Sequence, residues 1–214
     1  METLIFLKKD VCKRIFDTLL SLALLFLLSP IYILIFISLI VEQILTKDFG
    51  PLYISETRVS KGKKFSLYKL NMYRESKRKE FIKNSEMFAK YGSWSFLQKD
   101  ETSLRLFGKV MKKFYLDELG QLFNILRGDM SFVGPRPLPV GYELNNQTPR
   151  LLLKAGLVGF ATNKSKNEGD TVAKQSTDDE YLEAYNSSYG CNILKIDIVV
   201  VLDGLRAVIK AKGH

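Results

Sequence analysis

Two adjacent carboxylates and a nearby arginine stand out in the stretch KFYLDELGQLFNILRGDMSFVGPRP, which covers residues 113–137. Asp117 and Glu118 come at the start of a helical pattern, where the helix dipole would stabilise their ionised forms. An ionised carboxylate can act as a nucleophile, and its neighbour can bind Mg²⁺ through oxygen. Arg136 lies between two prolines, which would present its guanidinium rigidly to a phosphate. The set suits phosphoryl transfer, although such acidic residues are also ordinary helix-capping residues.

The rest of the composition narrows the chemistry. The single histidine, His214, is the last residue, which argues against a serine–histidine or cysteine–histidine pair. Cys12 and Cys191 are far apart and show no metal-binding spacing or disulfide framework, so we expect a reducing compartment. The net charge of +9 predicts an anionic partner, which could be nucleic acid, acidic lipid or a phosphate-rich substrate.

An apolar run near the N-terminus, from Phe16 to Leu45, is long enough to cross a bilayer. Ser29-Pro30 lies near its middle, where proline kinks or breaks a helix. Two topologies follow: a kinked spanning helix, or a re-entrant segment whose two ends stay on one side. Hydropathy favours spanning, because spanning helices tolerate proline. Basic residues flank both ends of the run, Lys13 and Arg14 among them, and this favours the re-entrant form.

Asp17 lies just inside the apolar run, where a carboxylate is costly unless it is paired. Arg14, three residues earlier, is a candidate partner on the same helix face. Asp17 could equally be a simple helix-start residue. We divide the chain into a membrane-associated segment, residues 1–46, and a catalytic domain, residues 47–214.

The remaining pattern predicts an α+β fold that is mostly helical with short strands. Extended or turn-forming segments are expected at Leu52–Val59 and Phe65–Leu70, around a Lys61-Gly62-Lys63 turn, at a stiff Ser131–Leu138 loop and at a Gly156–Gly159 turn. Helices are expected over Arg74–Lys90, from Ser103, from Leu116 to Arg127, over Thr177–Tyr189 and over Ile193–Lys212.

The block LDELxQLxNxLxGDMSxVGPRP resembles the signature of the bacterial sugar transferases, the monotopic phosphoglycosyl transferase family. Other residues resemble further motifs of this family. They are Lys13-Arg14 with Asp17 at the membrane entry, Ser29-Pro30 at the helix break, Gly50-Pro51 and Arg58, Tyr68-Lys69, Lys154 to Gly159, and Asp197 before the last helix. The resemblance covers nearly the whole chain and points to the small catalytic-core form.

This resemblance implies transfer of a sugar-1-phosphate from a UDP-sugar to polyprenyl (undecaprenyl) phosphate. The reaction would be the first membrane step of glycoconjugate or polysaccharide biosynthesis. Asp117 would form a covalent aspartyl-phosphosugar and expel UMP, while Glu118 would bind the cofactor Mg²⁺. The implied substrate- and phosphate-binding residues are Arg58, Lys69, Arg136 and Asp197.

The resemblance also implies a re-entrant, monotopic protein at the cytoplasmic face of the bacterial inner membrane. The implied partners are the UDP-sugar donor, the polyprenyl phosphate acceptor and membrane lipids, with a homodimer or downstream glycosyltransferases as further candidates. Nucleic acid is not expected, because the chain has no interleaved aromatic and basic residues of an RNA-binding kind and no recognisable helix-turn-helix.

The flanking blocks depart from the family pattern while the catalytic block is intact. Gly120 and Ala155 stand where prolines are usual, and Asn71 lies in a divergent block after Lys69. An alternative function is therefore an inactive, membrane-anchored scaffold of a glycan-assembly complex. The sugar, the glycan pathway and the oligomeric state stay open at the level of sequence.

Overall fold

The structure, a computed structural model, describes residues 2–94, 97–140, 148–160 and 171–210. Its helices and strands are α1 Glu2–Leu27, α2 Ser29–Thr46, β1 Tyr53–Ser60, β2 Lys63–Leu70, α3 Glu75–Asn84, α4 Glu86–Tyr91, α5 Leu106–Lys113, α6 Gln121–Arg127, β3 Ser131–Val133, α7 Thr148–Leu152, β4 Gly156–Val158, α8 Thr171–Ser187 and α9 Ile193–Lys210. Short 3₁₀ turns lie at Leu97–Lys99, Glu101–Ser103, Leu116–Gly120 and Gly190–Asn192. A mostly helical fold with a few short strands is therefore confirmed.

Strands β1 and β2 form an antiparallel hairpin in register from Tyr53 opposite Leu70 to Ser60 opposite Lys63. The two turn residues, Lys61 and Gly62, have φ values of 48° and 71°. Positive φ at both turn positions gives the turn a twist that matches the right-handed twist of the strands. The two extended segments and their turn, predicted from the sequence, are thus present.

Strands β3 and β4 pair in parallel, with Ser131 opposite Gly156 and Val133 opposite Val158. The sequence predicts only a turn at residues 156–159, and this prediction is wrong. Three residues are too few to show the alternation that identifies a strand. The backbones approach so closely that a Cβ at Gly156 would lie 2.2 Å from the Gly134 nitrogen, so this position requires glycine.

The sequence predicts one helix over Arg74–Lys90, and the structure has two, α3 and α4, separated at Ser85. The Ser85 side chain accepts a hydrogen bond from the Phe88 amide and so caps α4. The helices predicted from Ser103 and over Thr177–Tyr189 are present as α5 and α8 with shifted ends. The last predicted helix begins at Ile193 as expected, and residues 211–212 at its predicted end lie outside the described residues.

The N-terminal helices pack on two different apolar cores of the domain. The first core includes Leu122, Ile125 and Phe132, and the apolar residues near the end of α1 pack against it. The second core contains Ile35 and Leu39 of α2 itself. Few residues of α1 and α2 approach each other, so both helices are held by the domain rather than by one another.

Helix α1 buries polar residues and exposes apolar ones. Lys9, Lys13, Asp17 and Ser21 recur every four residues and are buried against the domain. The outward face is apolar and includes Val11, Ile15, Leu19, Leu22 and Phe26. This arrangement is the reverse of an amphipathic helix on a water-soluble protein.

The break between α1 and α2 occurs at Leu28, with φ −89° and ψ 1°. Pro30 falls in the first turn of α2, where a missing N–H leaves no helical hydrogen bond unmade. Ser29 Oγ donates to the Phe26 carbonyl at 2.7 Å. The predicted break is therefore present. Among the helices described, α2 alone is long and apolar enough to cross a membrane, judged by length and composition.

The chain's two cysteines, Cys12 and Cys191, form a disulfide with Cα atoms 5.4 Å apart. This bond joins α1 to the turn before α9. The expectation of no disulfide is wrong, because 179 residues separate the cysteines and only the docking of α1 brings them together.

A buried ion pair joins α1 to α9. Lys13 Nζ pairs with Asp197 Oδ2 and donates to Tyr181 Oη at 3.1 Å. Tyr181 Oη in turn donates to Asp197 Oδ1 at 2.7 Å. Each charge is thus satisfied by its neighbours, and removing one partner would leave the other buried and uncompensated.

We expect Asp197→Asn to lower the free energy of unfolding by about 3–5 kcal/mol, because the Lys13 ammonium loses its buried counter-ion. The matched control is Asp203→Asn on the same helix. Asp203 pairs with the largely exposed Arg206, and its loss should cost less than about 1 kcal/mol. Unfolding of the detergent-solubilised variants measures both. Equal decreases in the free energy of unfolding of the two variants would contradict the structural role of the buried pair.

Candidate active site

The adjacent carboxylates Asp117 and Glu118 lie in the 3₁₀ turn Leu116–Gly120, immediately before α6. The sequence predicts that the helix starts near Leu116, whereas α6 begins at Gln121. A Cβ at Gly120 would lie 2.8 Å from the Tyr68 carbonyl oxygen. Glycine at this departure from the family pattern thus lets the turn pack directly on strand β2.

Asp117 is buried, with 4% of its surface exposed. Burial and the neighbouring charge of Glu118 together raise the pKa of its carboxyl to about 6, against the opposing effects of Lys69 and Arg136. The expectation that the helix dipole favours ionised Asp117 is therefore wrong for this residue. Desolvation outweighs any effect of the helix end because Asp117 lies inside the protein.

Lys69 of β2 and Arg58 of β1 lie on the same buried side of the hairpin. Lys69 Nζ is 3.2 Å from Glu56 Oε1, and Arg58 Nη2 pairs with Glu56 Oε2. Arg58 also donates to Ser93 Oγ at 3.1 Å. Burial lowers the pKa of Arg58 to about 10, and the nearby charge of Arg136 adds to this shift.

The pKa of Lys69 is also lowered by burial, and the charges of Asp117 and Glu118 partly reverse the shift. Lys69 therefore lies near both carboxylates. Glu56, which holds the two cations, is absent from the residues singled out in the sequence. Its signal is the alternation of β1, which places residues 54, 56 and 58 on the buried face.

Arg136 lies in the proline-rich segment after β3. Its backbone is fixed because residue 139 bridges to Arg58 and the Val59 amide donates to the Leu138 carbonyl at 3.3 Å. The guanidinium is largely exposed, and its Nη2 is 3.6 Å from Glu118 Oε1. This agrees with a rigidly mounted arginine whose donors face incoming substrate.

Helix α2 braces the catalytic turn and the helix that precedes it. Tyr32 Oη donates to the Leu119 carbonyl at 2.6 Å. Glu42 accepts from the Leu106 and Phe107 amides at 2.6 and 3.0 Å, which caps the start of α5. These contacts are not predicted from the sequence, although polar residues inside an apolar run are the signal for them.

Helix α1 contacts the C-terminal end of α6 and strand β3. Arg14 donates to the Ile125 and Leu126 carbonyls at 2.6 and 2.5 Å, at the C-terminal end of α6 where a cation is favourable. Asp17 accepts from the Phe132 amide at 3.1 Å. Asp17 is thus neither a simple helix-start residue nor held chiefly by Arg14, since both side chains bind the domain.

The structure therefore gathers five of the predicted residues in one site: Asp117, Glu118, Lys69, Arg136 and Arg58. The predicted membrane residues lie outside it, namely Lys13, Arg14, Asp17, Ser29 and Pro30. Asp197, which the resemblance implies to be substrate-binding, is fully buried with Lys13 and is not presented to this site.

Among the residues described, no group of three or more histidine, cysteine or acidic side chains is placed to hold a metal. A complete protein cage is not what Mg²⁺ requires, because it commonly uses one or two carboxylates and completes its coordination with water and substrate phosphates. Glu118 is partly exposed beside Asp117, so this pair fits a magnesium site completed by substrate.

Sequence comparison decides the family. The profile of the family described as bacterial sugar transferase matches residues 8–204. The chain belongs to the bacterial sugar transferase family. Membership in this family, predicted from the catalytic block, is confirmed, and the protein is an enzyme of the transferase class.

Several curated relatives match this sugar transferase over most of its length. The exopolysaccharide production protein ExoY of Sinorhizobium fredii is 29% identical and covers 95% of this chain and 88% of its own. The undecaprenyl-phosphate galactose phosphotransferase of Salmonella typhimurium is 30% identical over 94% of this chain and 41% of its own. An N-acetylgalactosaminephosphotransferase of Aeromonas hydrophila, whose name also includes undecaprenyl phosphate, is 28% identical over 77% of this chain and 37% of its own. The chain thus spans less than half of the last two relatives.

The raised pKa of Asp117 predicts a stability effect. Its pKa is about 6 in the folded protein and near the ordinary value of 3.8 in the unfolded chain, so ionisation at higher pH disfavours folding. Asp117→Asn should therefore stabilise the protein by about 3 kcal/mol at pH 8. The gain should shrink as pH falls through 6 and vanish below about pH 4.

The matched control is Asp179→Asn, which alters an exposed carboxyl on α8. Thermal unfolding of the solubilised variants between pH 4 and 8 measures the difference. An Asp117→Asn gain that is absent at pH 8, or matched by Asp179→Asn, would show that Asp117 is not held in a desolvated site.

Proposed function

We propose that this protein transfers a sugar-1-phosphate from a UDP-sugar to polyprenyl phosphate through a covalent intermediate on Asp117. The observation that carries the proposal is a buried carboxylate, Asp117, that lies within electrostatic reach of Lys69 and Arg136 and has a second carboxylate, Glu118, beside it. The names of the Salmonella and Aeromonas relatives support the acceptor and the phosphosugar class.

In the first step, an Asp117 carboxylate oxygen attacks the β-phosphorus of the UDP-sugar. The new bond joins this oxygen to phosphorus, and the bond from the β-phosphorus to the bridging oxygen breaks. UMP leaves with the bridging oxygen and its electron pair. Burial makes the Asp117 carboxylate a stronger nucleophile than a hydrated one, because desolvation removes the water that would stabilise its charge.

In the second step, a phosphate oxygen of polyprenyl phosphate attacks the same phosphorus. The bond from phosphorus to the Asp117 oxygen breaks, and the carboxylate is regenerated. The product is a polyprenyl diphosphate-linked sugar. The carboxylate needs no general acid to leave, which suits a site that contains no histidine.

The surrounding cations bind phosphate oxygens in both steps. The Arg136 guanidinium is largely exposed, where it can contact substrate. Lys69 and Arg58 are positioned by their ion pairs with the buried Glu56. A divalent cation held by Glu118 would neutralise part of the diphosphate charge when bound. Without such neutralisation, the approach of a carboxylate to a diphosphate would be opposed by like charges.

The membrane placement belongs to the same proposal. The outward faces of α1 and α2 are apolar and exposed, and Phe26 and Leu27 at the break are among their most exposed residues. We propose that the break lies deepest in the lipid and that both helices return to the domain at the cytoplasmic face. The site then lies at the interface, where a soluble donor and a lipid acceptor can meet.

No feature of the described residues favours the inactive-scaffold alternative. The five residues that phosphoryl transfer requires are assembled, and the divergent Asn71 has a structural role. Its side chain donates to the Pro51 carbonyl at 2.8 Å and accepts from the Tyr73 amide at 3.1 Å.

The two-step reaction predicts that the purified protein releases UMP from a UDP-sugar alone, in an amount close to one per protein. The polyprenyl phosphate should be needed only for continued turnover. Asp117→Asn should release no UMP, because an amide is a poor nucleophile, whereas Asp179→Asn should behave like the parental protein. A panel of UDP-sugars, with UMP measured by chromatography, both tests the reaction and identifies the donor.

UMP that appears only when both substrates are present would contradict the covalent step and favour direct transfer. Repeating the assay across Mg²⁺ concentrations tests the role of Glu118. Glu118→Gln should shift the Mg²⁺ requirement upwards, with Glu101→Gln in an exposed turn as the control. An unchanged Mg²⁺ titration would overturn the metal role and leave the Asp117 result unaffected.

A further inference from the structure

A cavity of about 320 Å³ lies beside α1, away from the Asp117 site. Its walls come from α1, from the β1–β2 turn at Lys61, from residues 152–154 and from α8. Its described lining includes none of the residues gathered around Asp117. Arg14 in its wall contacts the C-terminal end of α6, whereas Asp117 precedes the N-terminal end, about 10 Å away along the helix.

Four basic side chains line the cavity: Lys13, Arg14, Lys61 and Lys154. Lys13 is neutralised by Asp197, but Arg14 is bonded to backbone carbonyls, which carry no net charge. The acidic residues of the described lining are Asp17 and Asp10, and Asp10 pairs with the half-exposed Lys61 at 3.5 Å. The lining therefore carries a net positive charge before any ligand binds.

Lys154 is the lining residue that most clearly favours binding of an anion in the cavity. No described residue forms a hydrogen bond or ion pair with its ammonium, which is half-buried. Burial lowers the pKa of Lys154, and the charges of Arg14 and Lys61 lower it further, against the opposing effect of Asp17. Clustered cations of this kind repel one another, and an anion among them would relieve the repulsion.

Part of the cavity lining is apolar. Val11, Ile15 and Leu152 line it, and each is about half exposed. Val11 and Ile15 continue along α1 into the exposed apolar face formed by Leu19 and Leu22. The cavity thus has a cationic side next to an apolar surface, at the point on α1 where charged residues give way to a purely apolar run.

We propose that this cavity binds the phosphate of an anionic phospholipid, with the acyl chains of that lipid lying along the apolar face of α1. Phosphate is the shared chemistry of a lipid headgroup and free phosphate, and the adjoining apolar wall favours the lipid. The proposed lipid is a bound component of the membrane and not the acceptor of the reaction. The inference does not rest on the proposed function, and its test needs no turnover.

The test is thermal unfolding of the protein in detergent micelles during titration with dioleoylphosphatidylglycerol. The lipid should raise the unfolding midpoint of the parental protein, because a ligand that binds the folded state stabilises it. Lys61→Gln with Lys154→Gln should require roughly thirtyfold more lipid for the same shift. The charge-matched control, Lys63→Gln with Lys64→Gln, alters exposed residues of the same hairpin outside the cavity and should titrate like the parental protein.

Dioleoylphosphatidylcholine and inorganic phosphate at the same concentrations should produce no comparable shift. An equally weakened lipid titration in the cavity and control variants would overturn the proposal, because binding of the lipid would then depend only on general surface charge. A full shift with inorganic phosphate would overturn the lipid assignment. If the double variant does not fold, Lys154→Gln against Lys64→Gln decides by the same criterion.

Discussion

The polar face of α1 must stay against the domain, and the rest of the structure depends on this constraint. Lys9, Lys13 and Asp17 are buried and each has a partner in the domain: the Tyr185 carbonyl, Asp197 and the Phe132 amide. A buried charge without a partner costs several kcal/mol, so α1 cannot rotate or leave without losing all three contacts together. The exposed apolar side chains of the helix, from Val11 to Phe26, are thereby turned outward.

The same constraint links the membrane segment to the chemistry. Arg14 fixes the C-terminal end of α6, and Tyr32, just after the helix break, fixes the turn that precedes its N-terminal end. Asp117 therefore lies on a short element that is held at both ends by the N-terminal helices. This coupling explains why a small domain with few strands can hold a desolvated carboxylate in a defined position. The domain and its lipid-facing helices are one structural unit.

What the sequence revealed was mainly local. Asp117, Glu118 and Arg136 were recognisable because the block that contains them resembles the family signature, and the helix break at Pro30 and the hairpin around Gly62 follow from backbone geometry. The missed features all depend on contacts between distant segments. Glu56 meets Lys69 only once β1 and β2 have paired, Cys12 meets Cys191 only after α1 docks, and Asp197 pairs with Lys13, which lies far away in sequence. The pKa of Asp117 was misjudged for the same reason, since burial is a property of the assembled fold.

The central claim is that both ends of the broken N-terminal helix stay on the side of the membrane that carries the domain. The most direct measurement is labelling with a membrane-impermeant maleimide after Cys12→Ser and Cys191→Ser remove the native cysteines. Single cysteines replace Thr3 at the N-terminus and Lys63, an exposed residue of the domain hairpin. Both should react in inside-out membrane vesicles and be protected in intact right-side-out vesicles. Labelling of position 3 from the opposite side to position 63 would show that the helix spans the membrane and would contradict the account.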